Sequence, residues 1–146
     1  MWTCPNCRQK FYNKNQAHSC GHYTVDDFLR GKTQQAIDLF HLFLSEYKKI
    51  GDFELHPVKT RVALLTKMRF CSINKAGKDF ISIHLVLTQV HNSSCFYKID
   101  NINNRFFIHH AKIKSKTDIN DELKKFMREA YDIGQRKHVQ RIGLVN

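Results

Sequence analysis

Side chains that bind metals are concentrated at the start of the chain. The first 22 residues, MWTCPNCRQKFYNKNQAHSCGH, contain three of the five cysteines and two of the nine histidines. Cys4 and Cys7 form a C-x2-C pair, whose short loop lets two thiolates reach one ion. A second pair of ligand types, His18 and Cys20, follows after ten intervening residues. The spacing predicts a structural Zn2+ site built from these four side chains, with no open position for catalysis.

The identity of the histidine ligand and that of the metal remain open for this segment, and a redox pair is the alternative to a metal site. His22 can replace His18, because an H-x-C pair must bend sharply for both side chains to bind one ion, and Gly21 supplies a bend for either arrangement. A thioredoxin-type redox pair would need a strand before Cys4, for which we expect no room. Iron could bind the same thiolates as zinc. In either metal form, the ion would fold a segment of about 20 residues that has almost no core of its own.

The composition of the chain is that of a small globular protein. Its 146 residues, 42% of them hydrophobic, include eleven Phe and only two Pro, which is enough for a buried core and argues against disorder. No apolar run approaches the ~20 residues that a membrane helix needs, and no signal-peptide pattern opens the chain. We therefore expect a cytoplasmic protein with no membrane segment, in which closely spaced cysteines bind metal rather than form disulfides.

Basic residues are in excess and unevenly distributed. Lys and Arg number 24 against 13 Asp and Glu, which gives a net charge of +11. Residues 59–78 contain six bases and no acid, and residues 105–116 contain four bases, two histidines and no acid. Such an excess favours acidic partners such as nucleic acid. A solvated charged face that binds nothing is the alternative.

Three helices are predicted from caps and apolar periodicity. Thr24 caps a short first helix, and Thr33 begins the second. Thr117 or Asp118 caps the third. The predicted inner stripes are Ile37, Phe40, Leu44 and Tyr47 in the second helix and Leu123, Phe126, Met127 and Ala130 in the third.

Between the second and third helices the apolar period changes to two, which indicates strands. One long strand is predicted over 62–70 and another over 81–87, joined by a turn at 74–78. A further strand runs through RFFIHHAKI, and a weaker one lies near CFYKI. The order predicts an α+β fold: a zinc-knuckle-like segment, then helices packed on one face of a mostly antiparallel sheet of about four to five strands.

The predicted organisation has three parts, a zinc-finger-like module at 1–23, an α+β domain at 24–135 and a basic C-terminal tail at 136–146. Pairing of the two long strands through the 74–78 turn puts Arg69 roughly opposite His84, with Lys67 and Ser82 near them. That register predicts a polar, basic sheet surface.

No Gly-rich phosphate loop, nucleophile elbow or Walker motif is present in the sequence. Histidines lie close to Lys and Arg in several segments, a pattern that suggests an anion site. Lys and Arg bind phosphate, and an imidazole can donate a hydrogen bond to it. His109 and His110 fall on opposite faces of their strand, so one of them can instead be a core histidine. The predicted anion- or nucleic-acid-binding residues are His56, Lys59, Thr60, Arg61, Lys67, Arg69, His84, His109, His110 and Lys112.

These motifs resemble a bacterial family of unknown function, domain number 5655. The matching elements are MWTCPNC, NQAHSC, YTVDDFL, LHPVKTR, MRF and FIHHAKI, from Trp2 to about Gly134. The resemblance implies that Cys4, Cys7, His18 and Cys20 are metal-type positions of the family, which supports His18 over His22. It also implies that His56, Lys59 and Thr60 are family features. Asn6 and Arg8 stand where the family often has Gly or Lys. Because the family has no assigned activity, the resemblance supplies no mechanism.

Three functions fit the sequence. The first is a zinc-stabilised protein that binds nucleic acid through a basic sheet surface, with Tyr97, Phe106 and Phe107 available for stacking. The second is an enzyme or binder of a small phosphorylated or anionic ligand, which requires the His/Lys/Arg residues to converge on one cleft. The third, an interaction or metal-handling module, fits least well because such proteins usually have an acidic surface.

Overall fold

The structure, a computed structural model, describes residues 1–17 and 20–137. His18 and most of the predicted basic tail, residues 138–146, therefore lie outside the described residues. Within them, no helix combines the length and apolar character needed to cross a membrane. The elements in chain order are β1 (Trp2–Thr3), β2 (Lys10–Phe11), α1 (Val25–Leu29), α2 (Gln34–Lys48), β3 (Glu54–Pro57), β4 (Val62–Leu65), β5 (Arg69–Ala76), β6 (Ile81–Leu87), β7 (Lys98–Ile102), β8 (Phe106–Ile113), a 3-10 turn (Lys116–Asp118) and α3 (Asp121–Gly134).

The α+β architecture is confirmed, with more strands than predicted. β1 and β2 form a small antiparallel pair, and the other strands form a six-stranded sheet in the order β3-β4-β5-β6-β8-β7. Every neighbouring pair in it is antiparallel. β3 escaped prediction because it is short and ends at Pro57, a residue that only an edge strand tolerates easily.

The prediction of one long strand over 62–70 was wrong. The segment is a hairpin, in which Leu65 of β4 lies opposite Arg69 of β5. The tip, residues 66–68, contains no Gly, Pro, Asn or Asp, so it carries no turn signal. Its conformation is held from outside instead: the backbone N–H groups of Lys67 and Met68 both donate to the carbonyl of Gly134, at 3.0 Å each.

The predicted register of the next hairpin was also wrong. His84 lies opposite Ser72 rather than Arg69, and Ser82 lies opposite Lys75. β5 continues to Ala76, and the chain reverses only after it, where the Gly77 N–H donates to the carbonyl of Phe80 at 2.8 Å. A bulge between Ile73 and Lys75 adds a further shift.

The helices form as expected at most of their termini. Thr24 makes the predicted capping box with Asp27, and Thr33 caps α2. The cap of α3 is Asn120 rather than Thr117 or Asp118, because residues 116–118 form a separate 3-10 turn. The predicted stripe of α3 is buried throughout, whereas in α2 the buried face is turned slightly from the prediction. The buried apolar residues of α2 are Ala36, Leu39, Phe40, Phe43 and Tyr47, and Ile37 and Leu44 are only partly buried.

The two faces of the six-stranded sheet have different neighbours. α2 and α3 cover one face, the helix face, where Leu64, Cys71, Leu85 and His109 follow one another across the strands. Burying one such leucine stabilises the fold by roughly 1.5–3 kcal/mol. The other side, which we call the open face, carries the alternate residues. Its central row is His56, Ala63, Ser72, His84 and His110.

Candidate metal centre and nucleic-acid interface

The loop between β1 and β2 has the geometry of a metal-binding knuckle. The Cys4 N–H donates to the carbonyl of Gln9 and the Arg8 N–H donates to the carbonyl of Cys4, both at 2.8 Å. Arg8 has φ +65°, the left-handed conformation that lets the chain turn back within one residue. The turn places the Cys4 and Cys7 thiols on the same side of the loop.

Cys20 returns to this loop and completes a group of three thiols. The sulfur atoms of Cys4, Cys7 and Cys20 all lie within 4.8 Å of one another, and the Cys4 and Cys20 Sγ atoms are 3.9 Å apart. Two thiolates of a tetrahedral zinc site, at Zn–S distances of about 2.3 Å, lie about 3.8 Å apart. The amide of Asn6 also donates to the Cys20 sulfur at 3.4 Å. These residues could therefore hold a thiophilic metal ion.

The fourth ligand is less well defined by the structure. His18 lies outside the described residues, so its predicted role stays a prediction. His22 is exposed and does not belong to the group of possible metal ligands that the three cysteines form. All five cysteines are free thiols, and Cys71 is buried in the main core.

The knuckle packs against the open face through an arginine. The Arg69 guanidinium lies 4.2 Å from the centroid of the Phe11 ring, and it donates to Nδ1 of His56 at 3.2 Å. Burial, together with the Arg69 charge, lowers the pKa of His56 to about 4, and burial lowers the pKa of Arg69 to about 10. A salt bridge of 3.2 Å between Lys10 and Glu54 adds a second link. His56 and Arg69, both predicted binding residues, thus connect the knuckle to the sheet.

A cleft of about 690 Å³ occupies the centre of the open face. It brings together five of the ten predicted binding residues, from β6, β8 and the loop before β4. The cleft also contains residues that sequence reasoning did not assign to it. Its polar and aromatic lining is Thr60, Arg61, Asn74, Lys75, Phe80, Ser82, His84, Tyr97, Lys98, Asp100, His110 and Lys112.

Cations and aromatic rings alternate along one wall of this cleft. The Lys112 ammonium lies between two rings, 5.1 Å from the centroid of Phe80 and 5.4 Å from that of Tyr97. The Lys75 ammonium lies 5.8 Å from the Phe80 centroid. Tyr97 is 53% exposed, so its ring is available to a ligand. Of the three aromatic residues predicted for stacking, only Tyr97 lines the cleft.

His84 lies at the floor of the cleft as a neutral imidazole. The amide nitrogen of Asn74 donates to its Nδ1 at 2.8 Å, so the hydrogen of the neutral ring is on Nε2. Burial lowers the pKa of His84 to about 3, and the neighbouring His110 contributes. The Oδ1 atom of Asn74 is buried without a hydrogen-bond partner among the described residues.

His110 is paired with a carboxylate. Its Nε2 lies 2.8 Å from Oδ2 of Asp100, and this hydrogen bond lowers the pKa of Asp100. The His110 ring is 5.6 Å from that of His84 and 5.9 Å from that of Tyr97, centroid to centroid. The Tyr97 hydroxyl shares a 2.7 Å hydrogen bond with that of Ser82. The carboxylate thus fixes the orientation of the His110 imidazole in the cleft.

A second groove of about 300 Å³ lies beside the first, between the knuckle and the sheet. Arg61 lines both grooves, so the two are adjacent on the open face. Phe11, Tyr12, Met68 and Arg69 line the second one. It therefore repeats the combination of arginine and aromatic side chains found in the first.

The remaining predicted residues lie elsewhere. His109 is buried on the helix face, where its Nε2 accepts from the His91 N–H at 3.0 Å and its Nδ1 donates to the carbonyl of Phe107 at 2.9 Å. Burial lowers its pKa. Lys67 is exposed at the tip of the β4–β5 hairpin, and Lys59 is exposed in the loop before β4. The set His56, Lys59, Arg69, His84 and His109 therefore does not converge on one cleft.

Sequence reasoning missed several cleft residues. Asn74 and Lys75 were assigned to a turn, although they belong to β5. Asp100 was not singled out, although it is the acid in the weak strand beside the paired histidines of β8. An acid in a strand next to a basic histidine strand is the signal that could have found it.

Comparisons with known proteins place the chain in a family but give no activity. A family model described as a domain of unknown function, DUF5655, matches residues 25–134. The three clustered cysteines precede the matched range. No curated protein and no solved structure matches the chain. The match covers β6 and β8, the two strands at the centre of the cleft, and confirms the family resemblance over residues 25–134, so the chain belongs to the DUF5655 family.

Proposed function

We propose that the protein binds single-stranded nucleic acid along the open face of its sheet. The observation that carries this proposal is the pair of grooves that share Arg61, each lined by cations and aromatic rings. Proteins that bind single strands combine a basic groove, which follows the phosphates, with aromatic side chains on which bases stack. Tyr97 and Phe80 supply rings in one groove, and Tyr12 supplies one in the other.

The proposal includes a structural zinc ion in the knuckle. An ion held by Cys4, Cys7, Cys20 and His18 would stabilise the loop that carries Phe11 against Arg69. The wall of the second groove would then depend on the metal, because that wall is built from the same loop. The first groove is built from the sheet, so its walls would not depend on the metal.

A small phosphorylated ligand is the second candidate. One observation favours it: the cleft of about 690 Å³ has the size of an ordinary small-molecule site. The partly buried His84 and Asn74 at its floor are the kind of convergent polar groups that such sites use. The second groove beside this cleft favours a longer ligand, because one small molecule would leave that groove empty.

Fluorescence anisotropy with labelled oligonucleotides separates these candidates. We expect a 12-nucleotide single strand to bind much more tightly than a trinucleotide, since only the longer strand reaches both grooves. Its affinity should fall with salt, with a slope of log K against log [salt] near −0.7 for each phosphate contacted. Full displacement of the strand by a mononucleotide at a similar concentration would favour the small-ligand function. An affinity that does not change with salt would refute both.

The zinc component has its own test. Elemental analysis of the purified protein should find about one zinc per chain, and Cys20→Ser should release it. Chelation should weaken binding of the 12-nucleotide strand and leave binding of a trinucleotide to the first groove unchanged. Protein that contains no metal and retains a folded knuckle would contradict this component.

A further inference from the structure

The cleft holds three groups that could act together on a phosphodiester. They are the imidazole of His110, held by Asp100, the phenol of Tyr97, and the ammonium of Lys112, 5.4 Å from the Tyr97 ring. Binding alone would need only charge and stacking surface. It would not need an imidazole oriented by a carboxylate beside a hydroxyl donor.

We propose that the open-face cleft cleaves RNA by transferring a phosphodiester to the neighbouring 2′-oxygen, with His110 as base and Tyr97 as acid. The inference rests on the single-strand binding proposed above, and identifies its substrate as RNA. The substrate itself supplies the nucleophile, the 2′-hydroxyl that DNA lacks.

His110 has the geometry of a proton acceptor. Asp100 lies 2.8 Å from its Nε2, so a neutral His110 ring keeps its hydrogen on Nε2 and leaves a lone pair on Nδ1. Asp100 also stabilises the imidazolium that forms when Nδ1 takes a proton, which is the role of a carboxylate in a hydrolase triad. Asp100 is thus a positioning residue.

Tyr97 and Lys112 complete the chemistry. The Tyr97 ring is 5.9 Å from that of His110, centroid to centroid, so the two rings are in contact and present a phenol and an imidazole to a phosphodiester bound over them in the same part of the cleft. The Tyr97 hydroxyl carries a proton that it can donate to the leaving 5′-oxygen. Lys112, beside the same ring, offsets the negative charge that develops on the phosphoryl oxygens. The Nε2–H of neutral His84 is a further donor at the cleft floor.

The step balances without an external co-reactant. The 2′-oxygen bonds to phosphorus as its proton passes to Nδ1 of His110. The bond between phosphorus and the 5′-oxygen breaks as Tyr97 protonates that oxygen. The products are a 2′,3′-cyclic phosphate and a 5′-hydroxyl end. Water then carries the proton from the imidazolium to the phenolate, which restores both groups.

The test uses three labelled 12-nucleotide strands of one sequence: RNA, 2′-O-methyl RNA and DNA. The full-length protein should cleave only the first, with cyclic phosphate ends visible by mass spectrometry. His110→Gln should slow cleavage at least roughly 100-fold, the range of a general base, and still bind the 2′-O-methyl strand. Tyr97→Phe keeps the stacking ring and removes the acid, so it should also cut slowly and bind normally.

Two further readouts distinguish catalysis from a structural role. Asp100→Asn should reduce the cleavage rate and change its pH profile, with little effect on strand binding. A cleavage rate that Asp100→Asn leaves unchanged at every pH would show that this carboxylate does not position His110. Circular dichroism checks that each variant is folded. If His110→Gln does not fold, Tyr97→Phe provides the test of catalysis in its place.

The outcomes are separable. If the 2′-O-methyl strand binds but RNA is cut no faster than by His110→Gln purified in parallel, the cleavage inference is wrong and single-strand binding stands. Equal cleavage of DNA would also refute it, because DNA has no internal nucleophile. Failure to bind any strand would refute the proposed function itself.

Discussion

His109 and His110 are adjacent residues of one strand and have opposite surroundings. His109 faces the helices, is fully buried, and has both ring nitrogens bonded to backbone groups. His110 faces the open side and bonds to the carboxylate of Asp100, with its second nitrogen left for a ligand. The first arrangement completes a core. The second arrangement leaves one ring nitrogen of His110 at the surface to bind a ligand.

The same contrast extends across the whole sheet. On the helix face, polar groups are few, and the Tyr47 hydroxyl there donates to the Met127 carbonyl at 2.6 Å. On the open face, Asn74 keeps a buried oxygen without a partner in the described residues, and the Lys112 ammonium lies over the half-buried ring of Phe80 and the exposed ring of Tyr97. Stability and binding are therefore assigned to different faces, and substitutions should separate them.

The largest expected difference is in folding stability. Leu85→Ala on the helix face should reduce the free energy of unfolding by about 3 kcal/mol, because it opens a cavity in the core. Ser82→Ala on the open face should reduce it by less than about 1 kcal/mol, the value of one hydrogen bond to a half-exposed tyrosine. Urea denaturation measures both. Equal losses would break the distinction between the faces.

Substitution of His109 should mainly reduce folding stability, whereas substitution of His110 should mainly reduce activity at the open face. His109→Ala should cost about 2 kcal/mol of stability, since it removes two hydrogen bonds and leaves the His91 N–H buried without an acceptor. His110→Ala should cost less than about 1 kcal/mol, because its partner Asp100 is half exposed. In RNA-cleavage assays the order should reverse: a His109 variant that remains folded should keep most of the rate that His110→Ala loses. A His110 variant as unstable as His109→Ala would contradict the comparison.

Acid should destabilise the fold through the buried histidines. The pKa values of His84 and His56, about 3 and about 4 in the fold, lie below the unfolded value near 6.5. The unfolded chain therefore binds more protons between these limits, and stability is lost as the pH falls from about 6.5 towards the folded values. Each histidine contributes at most about 1.4 kcal/mol per pH unit. Thermal melts from pH 7 to pH 5 measure the slope.

Two variants sharpen this prediction. His84→Gln should make the dependence on pH shallower, because one proton-binding group of the unfolded state is gone. His41→Gln, at an exposed position on α2, is the matched control and should keep the wild-type slope. Identical slopes for all three proteins would contradict the neutral, buried state of His84.

Removing Arg61, the residue that both grooves share, should have the smallest effect of these substitutions. Arg61→Ala should weaken binding of a 12-nucleotide strand several-fold and lower the magnitude of the salt slope by about 0.7, the contribution of one phosphate contact to a single strand. Trinucleotide binding should weaken less, because Arg61 also lines the first groove but a trinucleotide does not extend into the second. An unchanged slope would mean that Arg61 contacts no phosphate.

Local patterns were sufficient to predict much of this fold. The capping box at Thr24 and the stripe of α3 depend on neighbours within one or two turns, and both have the predicted form. The cysteine spacing likewise led to three thiols that lie together. In each case the interacting residues are close in sequence, so spacing alone limits the geometry.

Features that depend on distant contacts were not predictable. The β4–β5 hairpin has no turn residues, and Gly134 of α3 supplies the carbonyl that holds its tip. β5 continues to Ala76 before the chain reverses, so Ser72 rather than Arg69 lies opposite His84, and a bulge between Ile73 and Lys75 adds a further shift. Asp100 comes beside His110 only because β7 lies beyond β8 at the sheet edge. Sequence periodicity carries no information on any of these contacts.

The central claim, that the open face binds a single strand, is tested most directly by charge reversal on the two sides of the sheet. Lys112→Glu changes the wall of the cleft, and Lys125→Glu makes the same charge change on an exposed position of α3. With a labelled 12-nucleotide RNA at fixed salt, Lys112→Glu should lower the affinity at least about tenfold, while Lys125→Glu changes it far less. Equal losses would show that only net charge attracts the strand, and would contradict a binding site on the open face.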